Sequence, residues 1–264
     1  MFRVLLLLLP LAVVACHSAG TGENRVVGDS VSVDLEAWKE AGLPKTEKVT
    51  VRKDPVFHMR KRFEAVPVED VLERIPLYAS TKPDELEVVF ECEDGYHPTM
   101  PLPLLLKSKA WLGVRDLDAP AGQEWTTLQK GAETKKIAPF YLFYTNVSGD
   151  DPAYKWPYNL VRIRLVKNAE RREALLPDSA AAKGYALFKL HCQTCHSVNG
   201  LGGTLGPELN RPRSVTEYWK EDELKAFIAN PASFRDRVKM PQLALEKEEI
   251  EEIVGYLRYM RGRR

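Results

Sequence analysis

Apolar positions recur at two different periods along this chain, and the change between them divides it. Towards the C-terminus the period is helical. Glu221 to Ala229 forms one such stretch, ended by Asn230-Pro231, and Leu245 to Met260 forms another, with Ile250, Ile253, Val254, Leu257 and Met260 on one face. Ahead of them, Asp178 or Ser179 is placed to cap a helix running to Leu190, with Tyr185, Leu187, Phe188 and His191 on its inner side. No strong strand pattern appears in this part, which is expected to be all-α.

The preceding part alternates strands with short helices. Val49 to Val51, Leu86 to Glu91, Phe140 to Thr145 and Leu160 to Val166 have strand character; in the last, Val161, Ile163 and Leu165 alternate with Arg162 and Arg164. Pro67 to Ile75 opens with a proline and puts Val68, Val71, Leu72 and Ile75 on one face, which predicts a short helix, and Pro101 to Lys107 predicts another. The composition shifts where Lys167, Glu170, Arg171, Arg172 and Glu173 lead into Leu175-Leu176-Pro177-Asp178. The expected fold class is α+β: a β-rich mixed domain at 31–168, a linker at 169–177 and an all-α domain at 178–264.

Residues 1–15 carry one charge, Arg3, then an apolar run from Val4 through Leu9, Pro10, and Leu11-Ala12-Val13-Val14-Ala15 before Cys16. That is the short apolar core and small-residue exit of a secretory signal, too short to span a bilayer as a mature helix. Residues 16–30, with Gly20, Gly22 and Gly28 among small polar side chains, read as a flexible tether. The charges nearly cancel, 38 basic against 37 acidic, so no global field draws the protein to nucleic acid, and no nucleic-acid partner is expected.

Two of the four cysteines lie in Cys192-Gln193-Thr194-Cys195-His196. C-x-x-C-H is the attachment signature of c-type haem: two thiols on one helical turn can add to the two vinyl groups of a porphyrin, with the adjoining imidazole under the iron. A C-x-x-C redox pair and half of a zinc site are the other chemistries open to such a spacing. Zinc would want a second pair of soft ligands, and no other C-x-x-C occurs; a thioredoxin-like pair would want a βαβ context, whereas a helix is read just upstream. One covalent haem c is the expected cofactor, bound through Cys192 and Cys195, with His196 as an iron ligand.

With this motif, residues 178–264 resemble the class I cytochrome c family. Gly184 and Phe188 ahead of the motif, and Ile253, Tyr256 and Leu257 in the final helix, match the positions at which the first and last helices of that fold cross. Gly206-Pro207-Glu208-Leu209 resembles the family segment whose proline carbonyl accepts the proximal imidazole N–H, which assigns that role to Pro207. Lys239-Met240-Pro241, just before the last helix, resembles the family's methionine segment and implies Met240 as the sixth ligand; a loop-packing methionine is its other reading. Gly200, Gly202 and Gly203 suit a tight loop over the haem edge or a plain surface turn.

Val13-Val14-Ala15-Cys16 resembles the lipobox of bacterial lipoproteins, which implies lipidation at Cys16, a membrane anchor without a crossing, and a place on the periplasmic side of a bacterial membrane. A signal-peptidase cut that discards Cys16 is the alternative. The first domain is similar to small sulfite-oxidase-type molybdopterin-binding domains in the order of Val68-Glu69-Asp70-Val71-Leu72, Leu86 to Glu91, Cys92-Glu93-Asp94-Gly95-Tyr96, Pro101 to Leu106, Pro139-Phe140-Tyr141-Leu142 and Trp156-Pro157-Tyr158. That resemblance makes Cys92 either a metal ligand or a half-buried lone thiol. The residues after Cys92 depart from that family's glycine and basic pattern, and no set of pterin-phosphate ligands is recognisable. His58 and His97 are read as surface or turn residues. The function expected from these features is membrane-anchored electron carriage between redox partner proteins; a haem-containing molybdopterin oxidoreductase subunit and a haem-based gas sensor are the alternatives.

Overall fold

The computed structural model describes residues 31–130, 133–168, 175, 179–236 and 238–263. The secretory signal, Cys16, the tether, Asp178 and nearly all of the expected linker lie outside the described residues. In chain order the elements are β1 (Ser32–Asp34), α1 (Leu35–Ala41), β2 (Glu47–Asp54), β3 (Met59–Pro67), α2 (Val68–Leu72), α3 (Pro76–Ser80), β4 (Leu86–Cys92), β5 (Thr99–Pro101), α4 (Leu102–Lys107), β6 (Ala110–Asp116), β7 (Leu128–Lys130), β8 (Glu133–Lys135), β9 (Tyr141–Tyr144) and β10 (Leu160–Lys167). These are followed by α5 (Ala182–His191), β11 (Ser197–Val198), β12 (Leu201–Gly202), α6 (Val215–Tyr218), α7 (Glu221–Ala229) and α8 (Lys247–Arg261).

The N-terminal region is built on two antiparallel four-stranded sheets, ordered β1-β10-β4-β5 and β2-β3-β6-β9. In the first, Ile163 faces Phe90 and Leu165 faces Val88, so the alternating apolar side of β10 meets the apolar run of β4. Residues from both sheets and from α1, α2 and α4 share one core, which includes Trp38, Val71, Leu72, Phe90, Leu105, Leu112 and Ile163. A second cluster, with Phe63, Trp125, Tyr141 and Phe143, packs around the β2-β3-β6-β9 sheet. Each large side chain so buried contributes about 1.5–3 kcal/mol. Beneath β3 and β6 lies a buried ion pair: Lys61 Nζ is 2.6 Å from Asp116 Oδ2 and also donates to Thr126 Oγ1.

The C-terminal region is helical with one addition. Ser197–Val198 and Leu201–Gly202 pair as a two-residue hairpin, Val198 opposite Leu201, so this region is not all-α. Asn199 and Gly200 both have positive φ, 55° and 80°, the conformation a tight two-residue hairpin loop needs. Strands this short carry no visible alternation, which is why only the glycines mark them. At the start of α5, Ser179 opens a 3-10 turn through Ala181 instead of capping the helix, and Ala181 is the N-cap. Helix α8 is opened by a reciprocal Glu246–Glu249 capping box and places Arg258 and Arg261 in its last turn, matching the charge of each end.

Helices α5 and α8 cross at Gly184. A Cβ there would lie 2.1 Å from the Glu252 carbonyl oxygen and 2.9 Å from Tyr256 Cβ. Only a glycine lets the two backbones come so close. Phe188, one turn on, packs its ring 5.3 Å from that of Tyr256, and both are buried. This crossing sets where the C-terminal end of α5, and the motif that follows it, must lie.

Candidate functional site

Helix α5 runs directly into the Cys-x-x-Cys-His segment. Cys192 N–H and Gln193 N–H both donate to Phe188 O, and the next turn is closed by Cys195 N–H and His196 N–H donating to Cys192 O. The two cysteines and the histidine are thus presented by one tight turn at the end of a helix anchored through Phe188. Cys192 is buried, Cys195 half-buried, and they are not bridged to each other. Burial, and secondarily the neighbouring Cys195, push the Cys192 thiol up to about 12.

The segment after the hairpin folds back over this turn. Gly203 N–H donates to Gln193 O, Gly206 N–H to Cys195 O, and Leu209 N–H to Ser197 O. Pro207 is brought beneath the histidine, and His196 Nδ1 lies 2.8 Å from its carbonyl oxygen. A carbonyl can only accept, so Nδ1 carries the proton and Nε2 keeps its lone pair. Burial holds the imidazole below its ordinary pKa, the bond to Pro207 opposing the shift. Gly206 completes the cradle: a Cβ there would stand 2.4 Å from His196 Cε1.

Met240 lies in the loop before α8, half-buried, and packs against the helical core together with Leu201, Leu209, Trp219 and Leu245. Two residues that sequence reasoning missed tie the fold-back to α8. Asn210 Nδ2 donates to Asn199 Oδ1 and to Met260 O, both at 2.8 Å. Asn199 Nδ2 in turn donates to Arg263 O. The hairpin turn, the Pro207 segment and the end of the last helix are thereby one unit. The Asn199-Gly200 pair is the signal that would have pointed to this hairpin.

The family model for cytochrome c matches residues 181–261. The chain is similar to the cytochrome c of Arabidopsis thaliana, 33% identical over 85 residues that cover 25% of this chain and 76% of the relative. It is also similar to the cytochrome c of Theileria annulata, 29% identical over 105 residues that cover 33% and 90%, and to that of Ulva intestinalis, 26% identical over 101 residues that cover 31% and 91%. The chain belongs to the cytochrome c family. Its cytochrome segment carries covalently bound haem c, and its activity is haem-based electron transfer with redox partner proteins.

The residues of the cytochrome turn fit that group. Two unbridged thiols share one turn, an imidazole beside them has Nδ1 engaged and Nε2 available, and the glycine under the ring leaves it room. Zinc chemistry has less support, since no group of three or more His, Cys, Asp or Glu side chains comes together among the described residues.

The other candidates fall outside the cytochrome segment. Cys92 ends β4 and is buried in the core of the first sheet, where its thiol is pushed up chiefly by burial. A thiol in such surroundings is chemically quiet. His58 is exposed in the turn between β2 and β3, with a φ of 56°. His97 is half-buried, and its backbone reaches the cytochrome turn.

Proposed function

We propose that this protein is an exported, lipid-anchored monohaem electron carrier whose haem iron would be held by two residues of its own chain, His196 and Met240. Haem supplies a one-electron couple when bound. Cys192 and Cys195 would hold it covalently, each Sγ–H being able to add across a vinyl double bond, sulfur to one carbon and hydrogen to the other, with no oxidant needed. His196 would hold the iron through Nε2, with Pro207 fixing the ring and its tautomer. Met240 would hold it through its thioether sulfur, which favours the ferrous state and raises the potential above that of two histidines. An iron held by both residues would favour outer-sphere electron transfer over small-molecule chemistry at the metal.

The rest of the chain serves this module. Residues 31–168 act as a scaffold and docking domain, joined through 169–177 to the cytochrome domain at 178–264. After removal of 1–15, lipidation of Cys16 holds the protein on the periplasmic side of a bacterial membrane, with 16–30 as tether. Each buried methylene of the acyl chains adds about 0.8 kcal/mol to that anchoring.

The observation that carries the reading is the 2.8 Å contact between His196 Nδ1 and Pro207 O on the same turn that presents Cys192 and Cys195. Treating the protein with acid and organic solvent tests the attachment. Wild type should keep its haem, and the Cys192→Ser, Cys195→Ser double variant should release any that it holds. Haem retained covalently by the double variant would refute the assignment.

A further inference from the structure

The turn Asp94-Gly95-Tyr96-His97, which follows β4 in the N-terminal region, lies backbone to backbone on the cytochrome turn. His97 N–H donates to Thr194 O at 2.8 Å, and Thr194 is one of the two residues between the motif cysteines. In return, Thr204 N–H and Leu205 N–H donate to Gly95 O at 2.8 and 3.1 Å. Three backbone segments, 95–97, 193–195 and 203–206, are therefore joined by direct backbone hydrogen bonds. Glycine makes this possible at two positions. A Cβ on Gly203 would stand 2.0 Å from Thr194 O and 2.9 Å from Gly95 O. A Cβ on Gly95 would stand 2.6 Å from Thr204 Oγ1 and 2.8 Å from Leu205 N, and the Gly95 φ of +86° disfavours any other residue. The Lys189–Glu87 ion pair links α5 to β4 alongside.

We propose that Gly95 is a positioning residue for electron transfer: it lets the 94–97 turn close one side of the cytochrome turn, holding the Cys192–His196 loop in one geometry and keeping water from that edge of the haem. The inference rests on the reading of Cys192, Cys195 and His196 as the haem site. Burial and low dielectric around a haem disfavour the more charged ferric form. Loosening the contact should therefore favour oxidation. It also follows that a redox partner does not approach through Thr194 and Thr204, because the protein's own N-terminal region is there.

The test compares two glycines in the full-length holoprotein. Gly122 shares the left-handed backbone, φ +82°, but a Cβ there meets nothing within 4 Å. Gly95→Ala should lower the ratio of reduced to oxidised haem at a fixed ambient potential at least threefold, and speed amide exchange at Thr204 and Leu205 at least tenfold. Gly122→Ala should change neither. An unchanged ratio in Gly95→Ala, or an equal change in Gly122→Ala, would overturn the proposal. If Gly95→Ala does not accumulate, wild type decides: the His97, Thr204 and Leu205 amides should exchange as slowly as those of β4, and exchange as fast as that of Gly122 would contradict it. Wild type without covalent haem would instead fault the underlying site, whereas covalent haem with an unmoved ratio faults the docking inference alone.

Discussion

His196 Nδ1 donates to the carbonyl oxygen of Pro207 across 2.8 Å, and that one bond fixes the tautomer in which Nε2 keeps its lone pair. The ring is oriented before any metal is considered. Its supports are backbone features, the Pro207 carbonyl, the Cys192 carbonyl that accepts from His196 N–H and the glycine at 206, so the arrangement depends on chain path more than on side-chain identity.

Replacing Met240 with Ala should abolish the weak methionine-to-iron band near the red end of the oxidised spectrum and lower the potential. Half-buried Met240 packs on the helical core, so some stability should be lost as well. A spectrum and potential identical to wild type would remove Met240 from the iron.

The α5–α8 crossing predicts opposite outcomes for two glycines. Gly184→Ala forces a methyl group into the Glu252 carbonyl and should cost about 1–3 kcal/mol, the usual range for overpacking. In Gly255, on α8, a Cβ meets nothing within 4 Å, and Gly255→Ala should add up to about 1 kcal/mol through helix propensity. Denaturant unfolding of the two variants reads both signs.

Lys61→Met would leave Asp116 buried without its charge partner, the pair's side-chain exposures being 3% and 0% in the intact protein. A loss of about 3–5 kcal/mol is expected. Adding Asp116→Leu should recover part of it, and recovery of none would mean that the hydrogen bonds from Thr126 N–H and Asp118 N–H to Asp116 matter more than the charge pair.

Asp54 is buried, and burial raises its carboxyl above the ordinary range, against the lowering effect of bonds from Phe57 N–H, Val56 N–H and Tyr141 O–H and of the Lys61 charge. The folded state thus holds this proton more tightly than the unfolded chain. The stabilising contribution is complete below the unfolded value, about 3.9, and is lost as pH rises through the higher folded value. Asp54→Asn should flatten that part of the stability profile; an unchanged profile would show that Asp54 does not titrate there.

Helical periodicity made α7 and α8 legible almost to the residue, because their buried positions are all apolar. The strands at 86–92 and 160–167 were legible from an apolar run and from alternation, although Glu87 in the first is buried as well. Strands β3 and β6 were not, and the cause is specific. Their inward faces carry Lys61 and Asp116, which read as surface residues until they are seen to neutralise each other. Among the candidate site residues, the cysteines, His196, Pro207 and Met240 could be named from their motifs. The contact of His97 and Gly95 with residues 194, 204 and 205 could not, since backbone hydrogen bonds between distant segments leave no mark on side-chain pattern.

Exposure of the native, reduced protein to carbon monoxide tests the central claim most directly. A haem held by both His196 and Met240 has no vacant position, so the spectrum of the reduced wild-type protein should not change. Rapid formation of a carbon monoxide complex would contradict the carrier and point to an open iron site.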